Sequence, residues 1–464
     1  MQPVPLPFDP AVPWTGDVLE YAAVGPMIGF MQFSGWRTET TAWKDSAYLG
    51  ASLGISPTYK VSGPDAARFL DKYLVNNIAT LKVGAIRHGI MCDDRGRMVA
   101  DGVVMRISDD EYYTTWLAPV LQWRAETETE LDVQGEDLTG QVFFYQVGGP
   151  RSLEIMEAAT GEDLHDLPFT HHREATIAGH PVRILRLGMA GTLSYEVHGQ
   201  FGDSHEVYLA LMQAGAPLGL VRLGKRSYLM NHTEDGFPQA YYHFPYPWYA
   251  DPELAAWLDA RPMSGFLAHN PRLLGSAGDN LDERYMTPFD CGWESRIYWD
   301  KEFVGKEALA AIAQAPHRTV VTLEWNSDDV VDVYASQFRE GDTYDPMDHP
   351  NDMMWDSGVV DSRTGVMRPV GFHADRVLHD GANAGISSGR AVSLTYNRMI
   401  SLGFIDQALA EEGTEVIVVW GAPGHPQKNI RATVARFPYL QATSNAAFDV
   451  ESVPRPSTGH AIPA

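Results

Sequence analysis

The chain is punctuated by 42 glycines and 30 prolines in 464 residues. A breaker about every six residues leaves room only for short helices and strands joined by many turns. Even the apolar patch Ala22 to Phe33 is cut by Gly25, Pro26 and Gly29. No run of about 18 apolar residues exists, so no membrane span is expected. The opening MQPVPLPFDP lacks a basic segment ahead of an apolar one, so no signal peptide is expected either. The length fits two or three domains.

Thirty-five basic and 60 acidic side chains give a formal net charge of −25. That balance excludes nucleic acid and anionic membranes as expected partners, because both need clustered Lys and Arg. Hydrophobic residues make up 44% of the chain, enough to build a core. Cys92 and Cys291 are the only cysteines and form no C-x-x-C pair. A reducing cytoplasm fits, with both thiols read as small buried hydrophobes. The motifs of P-loop nucleotidases, Rossmann dehydrogenases, serine hydrolases and zincins are all missing. His171-His172 reads as a surface pair. The acidic stretch Asp342 to Asp361 lacks the spacing of a calcium loop and reads as a solvated insertion. No metal is expected.

Along the chain, the first 35 residues read as a surface wrap. Helices are expected over Thr40 to Ser46, Asp65 to Tyr73, Val120 to Leu131 and 204–214. Residues 85–116 read as a β-meander, with turns at Asp93-Asp94-Arg95-Gly96 and Ser108-Asp109-Asp110. Further strands are expected at 142–147, 181–187, 193–198 and Leu218 to Leu223. Residues 231–295 read as irregular. Within them, Phe237 to Tyr249 (FPQAYYHFPYPWY) is too rich in proline for a helix. It is either a buried packing loop or the wall of a pocket for a flat apolar ligand. Beyond Arg318 the pattern is mostly β: Thr319 to Trp325, Val359 to Met367, Arg390 to Phe404, Glu415 to Trp420 and Ile430 to Ala435. The tail from Val453 reads as extended or disordered.

Six segments in order are similar to those of the aminomethyltransferase family, the glycine-cleavage T-protein and its relatives. They are Asp93 to Gly102, Gln146 to Pro150, Gly191 to Val197 (GTLSYEV), Leu223 to Arg226, Asp300 to Leu309 (DKEFVGKEAL), and Leu402 to Ile405 with Gly413 to Val416. Within the family the chain most resembles the tetrahydrofolate-dependent aryl O-demethylases. The shared pieces are Phe33 to Glu39 (FSGWRTE), Gly188 to Gly191 (GMAG), and Arg226-Ser227-Tyr228 with Glu234 and Gly236. Four positions depart from those enzymes. Gly54 and Ile55 replace a His pair, Leu117 stands where an Arg holds the substrate carboxylate, and Phe237 stands where they carry Trp.

The resemblance implies an α+β fold. A bipartite folate-binding domain with antiparallel sheets and a central channel (1–315) would precede a C-terminal β-barrel (316–464). It implies an enzyme that moves a methyl group from a methoxylated aromatic compound to tetrahydrofolate, acting as a monomer or homodimer. An aminomethyltransferase of the glycine-cleavage type, or a demethylase of a sulfonium or amine donor, are the alternatives. A folate-binding iron–sulfur assembly factor is disfavoured, because Lys301 to Glu307 lacks the cysteine of those relatives. Tyr228 would be the general acid, since a tyrosine and a leaving phenol share a pKa near 10. Asp101 would orient the reacting edge of the folate or the substrate. Glu196 would take the paired N–H donors of the pterin, with Gln146, Arg226 and Phe237 beside it. Tyr241, Tyr242, His243, Tyr246 and Trp248, with Leu117, would line the substrate ring, and Arg37 is the candidate to replace the missing arginine. Lys225 and Arg226 would supply local positive charge for an anionic folate.

Overall fold

The turn at Asp93 shows how local chemistry sets the first sheet. The Asp93 carboxylate accepts the backbone N–H groups of Arg95 and Arg97 at 3.0 and 2.9 Å, and Gly96 takes a φ of 77°. This hairpin joins strands Ile86–Cys92 and Met98–Arg106. In the computed structural model, residues 7–24, 27–51, 54–188, 191–261, 271–352 and 371–455 are described. The hairpin belongs to a five-stranded antiparallel sheet completed by Glu111–Thr115, Thr58–Ser62 and Gln134–Asp137.

A second sheet has six strands, in the order His172–Ile177, His180–Leu185, Ser194–Gln200, Val142–Gly148, Ala47–Gly50 and Leu220–Leu223. Only its last pair is parallel. Helices Ser152–Thr160 and Ser204–Gly215 cover it with Leu153, Ile155, Met156, Val207, Tyr208 and Leu211, all buried. The opening residues form more than a wrap: Glu20–Val24 and Met27–Gln32 pair as a hairpin.

The C-terminal part is a closed antiparallel barrel of six strands. Gly371–His379, Ala382–Ser393, Arg398–Asp406, Arg318–Trp325, Lys428–Ala435 and Glu415–Trp420 pair in sequence, and Val377 opposite Val418 closes the ring. Ile430, Ala432 and Val434 alternate inward along one strand, as period-two patterning requires. The expected strand Arg390 to Phe404 is two strands, split by a turn that ends at Asn397 with φ 53°. That turn holds no glycine or proline, which is why the sequence concealed it. The expected strand Val359 to Met367 lies outside the described residues. Gly371–His379 and helix Pro252–Asp259 were not anticipated.

We propose the domain division after residue 315, just ahead of the first barrel strand. Two segments bridge it. Arg272–Leu274 pairs in parallel with the edge of Gly371–His379. The C-terminal segment returns to the second sheet. There Asn445 Nδ2 donates to the Ser194 carbonyl at 2.9 Å and Val453 is buried. The Val453 carbonyl lies 3.1 Å from His165 Nε2, and His165 Nδ1 lies 2.7 Å from Glu157. The chain is therefore docked as far as Val453, and residues 456–464 of the expected tail lie outside the described residues.

Candidate active site

Helix Lys225–Asp235 (KRSYLMNHTED) is polar on every side, yet Lys225 to Glu234 are all buried. A buried polar helix is tolerable only if its groups find partners. Arg226 is gripped by Glu20. Ser227 meets Glu39 at 3.4 Å, Asn231 meets Thr40 at 3.2 Å, and Thr233 donates to the Gly389 carbonyl at 2.7 Å. Glu234 takes Lys44 at 2.7 Å and Ser393 at 2.6 Å. Glu39 also anchors the helix start, accepting the N–H groups of Phe33, Ser34 and Gly224 at 2.7, 2.9 and 2.8 Å.

Arg226 Nη1, Asn231 Nδ2 and His232 Nε2 are buried without a hydrogen-bond partner among the described residues. Tyr228 and His232 form a pair on this helix. They are four residues apart, so they share one face, and their rings meet edge to face at 5.0 Å. Burial, aided by Tyr48, Glu196 and Asp101, holds the Tyr228 hydroxyl well above the usual tyrosine range. The pKa match to a leaving phenol expected from the sequence therefore does not hold in the free protein. At neutral pH Tyr228 is a protonated hydrogen-bond donor. Burial also lowers His232 to about 4, so its ring is neutral. The ring gives Nδ1–H to the Phe237 carbonyl at 3.0 Å, which leaves Nε2 as a bare acceptor.

Asp101 lies mid-strand in Met98–Arg106, with both oxygens engaged. Tyr246 donates to Oδ1 at 2.5 Å, and His88 Nε2 lies 3.1 Å from Oδ2. The aromatic loop builds the wall next to it. Tyr246 stacks on Trp248 at 5.6 Å, Tyr241 meets both edge-on, and Trp248 Nε1 donates to the Val99 carbonyl at 2.6 Å. Next to Asp101, Gly102 permits the close approach of the Thr115 backbone, since a Cβ there would stand 2.0 Å from the Thr115 carbonyl oxygen.

Gln146 and Glu196 face each other on neighbouring strands. Gln146 Nε2 donates to Glu196 Oε1 at 3.2 Å. Glu196 Oε2 is buried without a hydrogen bond, as are the Tyr48 hydroxyl and His198 Nε2, the latter 3.4 Å from it. A buried carboxylate oxygen without a donor is costly. A pterin N–H edge would satisfy it, so the donor set fits tetrahydrofolate. Asp235 adds a third carboxyl on the Tyr228 helix. Burial and neighbouring Glu234 push it up to about 8, against the N–H of Gly191. A Cβ at Gly191 would meet the Asp235 oxygen at 1.9 Å, so a side chain there would displace that carboxyl.

The structure brings Glu196 and Asp101 each within electrostatic reach of Tyr228, with Gln146 on Glu196 and Tyr246 on Asp101. Phe237 is close by, its ring 6.0 Å from His232 and 5.7 Å from His88. The aromatic loop divides: Tyr241, Tyr246 and Trp248 stay with Asp101, while Tyr242 and His243 turn to the barrel. Tyr242 contacts the Arg390 carbonyl at 3.4 Å, and the His243 carbonyl accepts from Ser388 at 2.7 Å. Leu117 is fully buried against the Gly89 position, within the core. Arg226 is committed to Glu20, and Lys225 lies 3.8 Å from Asp9, so neither is presented as an open anion site. Arg37 lies over the Trp36 ring. His88, His232, Asp235, His198 and Arg296 were missed from the sequence. Of these, only His232 and Asp235 carried a usable signal, their four- and seven-residue spacing from Tyr228.

A cleft of about 540 Å³ is lined by Val99, Trp123, Arg124, Pro247 and Leu254 among others. It does not contain Tyr228 or Glu196.

Residues 32–242 match the GCVT N-terminal domain family. The chain is 48% identical to a sesamin methylene transferase of a Sinomonas species, over 92% of this chain and 94% of that one. It is 29% identical to a syringate O-demethylase of a Sphingobium species, over 88% and 89%. It is 30% identical to an aminomethyltransferase of Streptomyces avermitilis, over 63% and 73%. The glycine cleavage aminomethyltransferase T of Bartonella henselae superposes with a TM-score of 0.63 at 16% identity, covering 91% of this chain and 94% of that one. That structure shares the fold. Among the described residues, no helix is long and apolar enough to cross a membrane.

Proposed function

The chain belongs to the aminomethyltransferase family and is an enzyme, and from that premise we propose that it takes a one-carbon group from an aromatic ether and passes it to tetrahydrofolate. The leading donor is a methoxylated arene, giving 5-methyltetrahydrofolate and a phenol. The observation that carries this reading is the half-satisfied Glu196. One oxygen is held by Gln146, and the other is buried without a donor, within electrostatic reach of Tyr228.

Glu196 and Gln146 would hold the pterin edge, the carboxylate taking paired N–H donors as charge-assisted hydrogen bonds. Bound there, tetrahydrofolate supplies the amine that accepts the carbon. The remaining work falls to side chains of this chain. Tyr228 donates its hydroxyl hydrogen bond to the departing aryl oxygen, where negative charge develops. Such help is worth about 10²–10⁴ in rate. Asp101, fixed at both oxygens, orients the reacting edge. Tyr241, Tyr246 and Trp248 offer ring surface for the arene.

A second reading follows from the relative at 48% identity, a methylene transferase. In it the donor carbon bridges two aryl oxygens and leaves as a methylene group, so both oxygens depart as phenols. One experiment tests both readings. The protein is incubated with tetrahydrofolate and a panel of methoxy- and methylenedioxyarenes, and the folate product is weighed by mass spectrometry. The 5-methyl product supports the first reading and the 5,10-methylene product the second. No folate product from any aryl donor, together with ammonia release from an aminomethyl-lipoyl carrier, would sink both.

A further inference from the structure

The grip on Asp101 extends one residue deeper than Asp101's own contacts. Arg296 directs Nη1 at Nδ1 of His88. A guanidinium carries donors only, so Nδ1 must present a lone pair. The proton of the neutral ring then sits on Nε2, facing Asp101 Oδ2 at 3.1 Å. The ring is wedged in place. Trp293 meets it edge-on at 4.8 Å and Phe237 at 5.7 Å, and the Arg296 guanidinium lies 5.2 and 5.7 Å from those same two rings.

We propose that His88 and Arg296 are positioning residues for Asp101. Arg296 fixes His88 as the neutral Nε2–H tautomer, and His88 and Tyr246 together pin both carboxylate oxygens. The proposal rests on reading Asp101 as part of the reacting site. A free histidine changes charge in the physiological range and would alter Asp101 as it did so. Here burial, with the Arg296 charge, holds His88 below its ordinary range against the pull of Asp101. The other titratable groups acting on this row are Cys291, beside Arg296 and Asp101, and Tyr228, His232 and Tyr246, beside Asp101. The row therefore keeps one arrangement of donors across neutral pH, which a histidine alone would not.

The test starts on the ligand-free full chain with ¹⁵N-labelled histidine. Two-bond ¹H–¹⁵N spectra, with His88 assigned by its loss in His88→Gln, report the tautomer directly. The wild type should show only neutral Nε2–H from pH 5.5 to 8.5. In Arg296→Met the ring should mix tautomers or take up its proton at higher pH than in the wild type. An Nδ1–H ring or a cation at pH 7 in the wild type overturns the proposal. Turnover provides the second arm. His88→Ala should lower kcat by about 10²-fold, the scale of a misplaced reacting group, with the tetrahydrofolate Kd within twofold. His88→Gln, which keeps an N–H donor, should recover most of the loss. Arg296→Met should gain an acid limb in kcat that the wild type lacks. A His88→Ala enzyme with wild-type kcat, or an Arg296→Met profile parallel to wild type, overturns the proposal. If no aryl donor turns over, the proposed function fails, and the tautomer spectra still decide whether Arg296 sets His88.

Discussion

Replacing Glu196 by Gln should move folate affinity and protein stability in opposite directions. In the free protein Glu196 Oε2 is buried without a donor, and His198 Nε2, also without one, lies 3.4 Å away. An amide nitrogen placed there can donate to His198. The free protein should therefore hold its stability or gain up to about 1 kcal/mol, the net worth of one such bond. Binding behaves differently. The amide keeps one acceptor but loses the charge and sets a donor against the pterin N–H edge. Losing a charge-assisted bond costs about 1.5–3 kcal/mol, which corresponds to about a 10- to 150-fold rise in Kd. Tryptophan fluorescence titration with tetrahydrofolate reads the affinity, and urea unfolding reads the stability. A Kd within threefold of wild type would refute the assignment of Glu196 to the pterin. A stability loss of several kcal/mol would show the carboxylate to be a structural group instead.

Tyr228→Phe should keep tetrahydrofolate affinity and lose about 10²-fold or more in kcat with an aryl donor, so single-turnover rates near wild type would remove Tyr228 from the chemistry. Gly102→Ala pushes a methyl group to within 2.0 Å of the Thr115 carbonyl oxygen. Overpacking of this kind costs about 1–3 kcal/mol, measurable as a lower urea midpoint together with loss of turnover through displaced Asp101. His373 is raised to about 9: burial opposes the shift, but the charges of Asp375 and Asp352 and the 2.9 Å contact with Asp375 prevail. Its stabilising contribution is full below the unfolded value of about 6.5 and fades as pH rises through 9. The wild-type urea midpoint should fall across that window, and the fall should flatten in His373→Asn; equal slopes would refute the linkage.

The legible and hidden parts of the site divide by sequence distance. Gln146, Glu196, Asp101 and Tyr228 each sit in a short ordered motif, and the fold brings these four motifs to one place. The turn at Asp93 and strand Glu415–Trp420 were readable from turn chemistry and β-rich composition alone. Helix Lys225–Asp235 was not, because its sequence looks solvated while its burial depends on Glu20, Glu39, Lys44 and Ser393 from distant segments. The same holds for His88 and Arg296, which carry no local pattern and meet only through the fold. The aromatic loop showed its composition but not its division, since Tyr242 and His243 are drawn away by Arg390 and Gly389 of the barrel. Arg226 looked like an anion site because nothing near it in sequence indicates Glu20.

The central claim is that carbon leaves an aryl oxygen and arrives on folate at this site. The most direct measurement is a single turnover with tetrahydrofolate and an arene whose ether carbon is ¹³C, followed by mass spectrometry of both products. The label should appear in the folate, with an equal amount of free phenol. Label remaining wholly on the arene for every aryl donor, while an aminomethyl-lipoyl carrier releases ammonia, would contradict it.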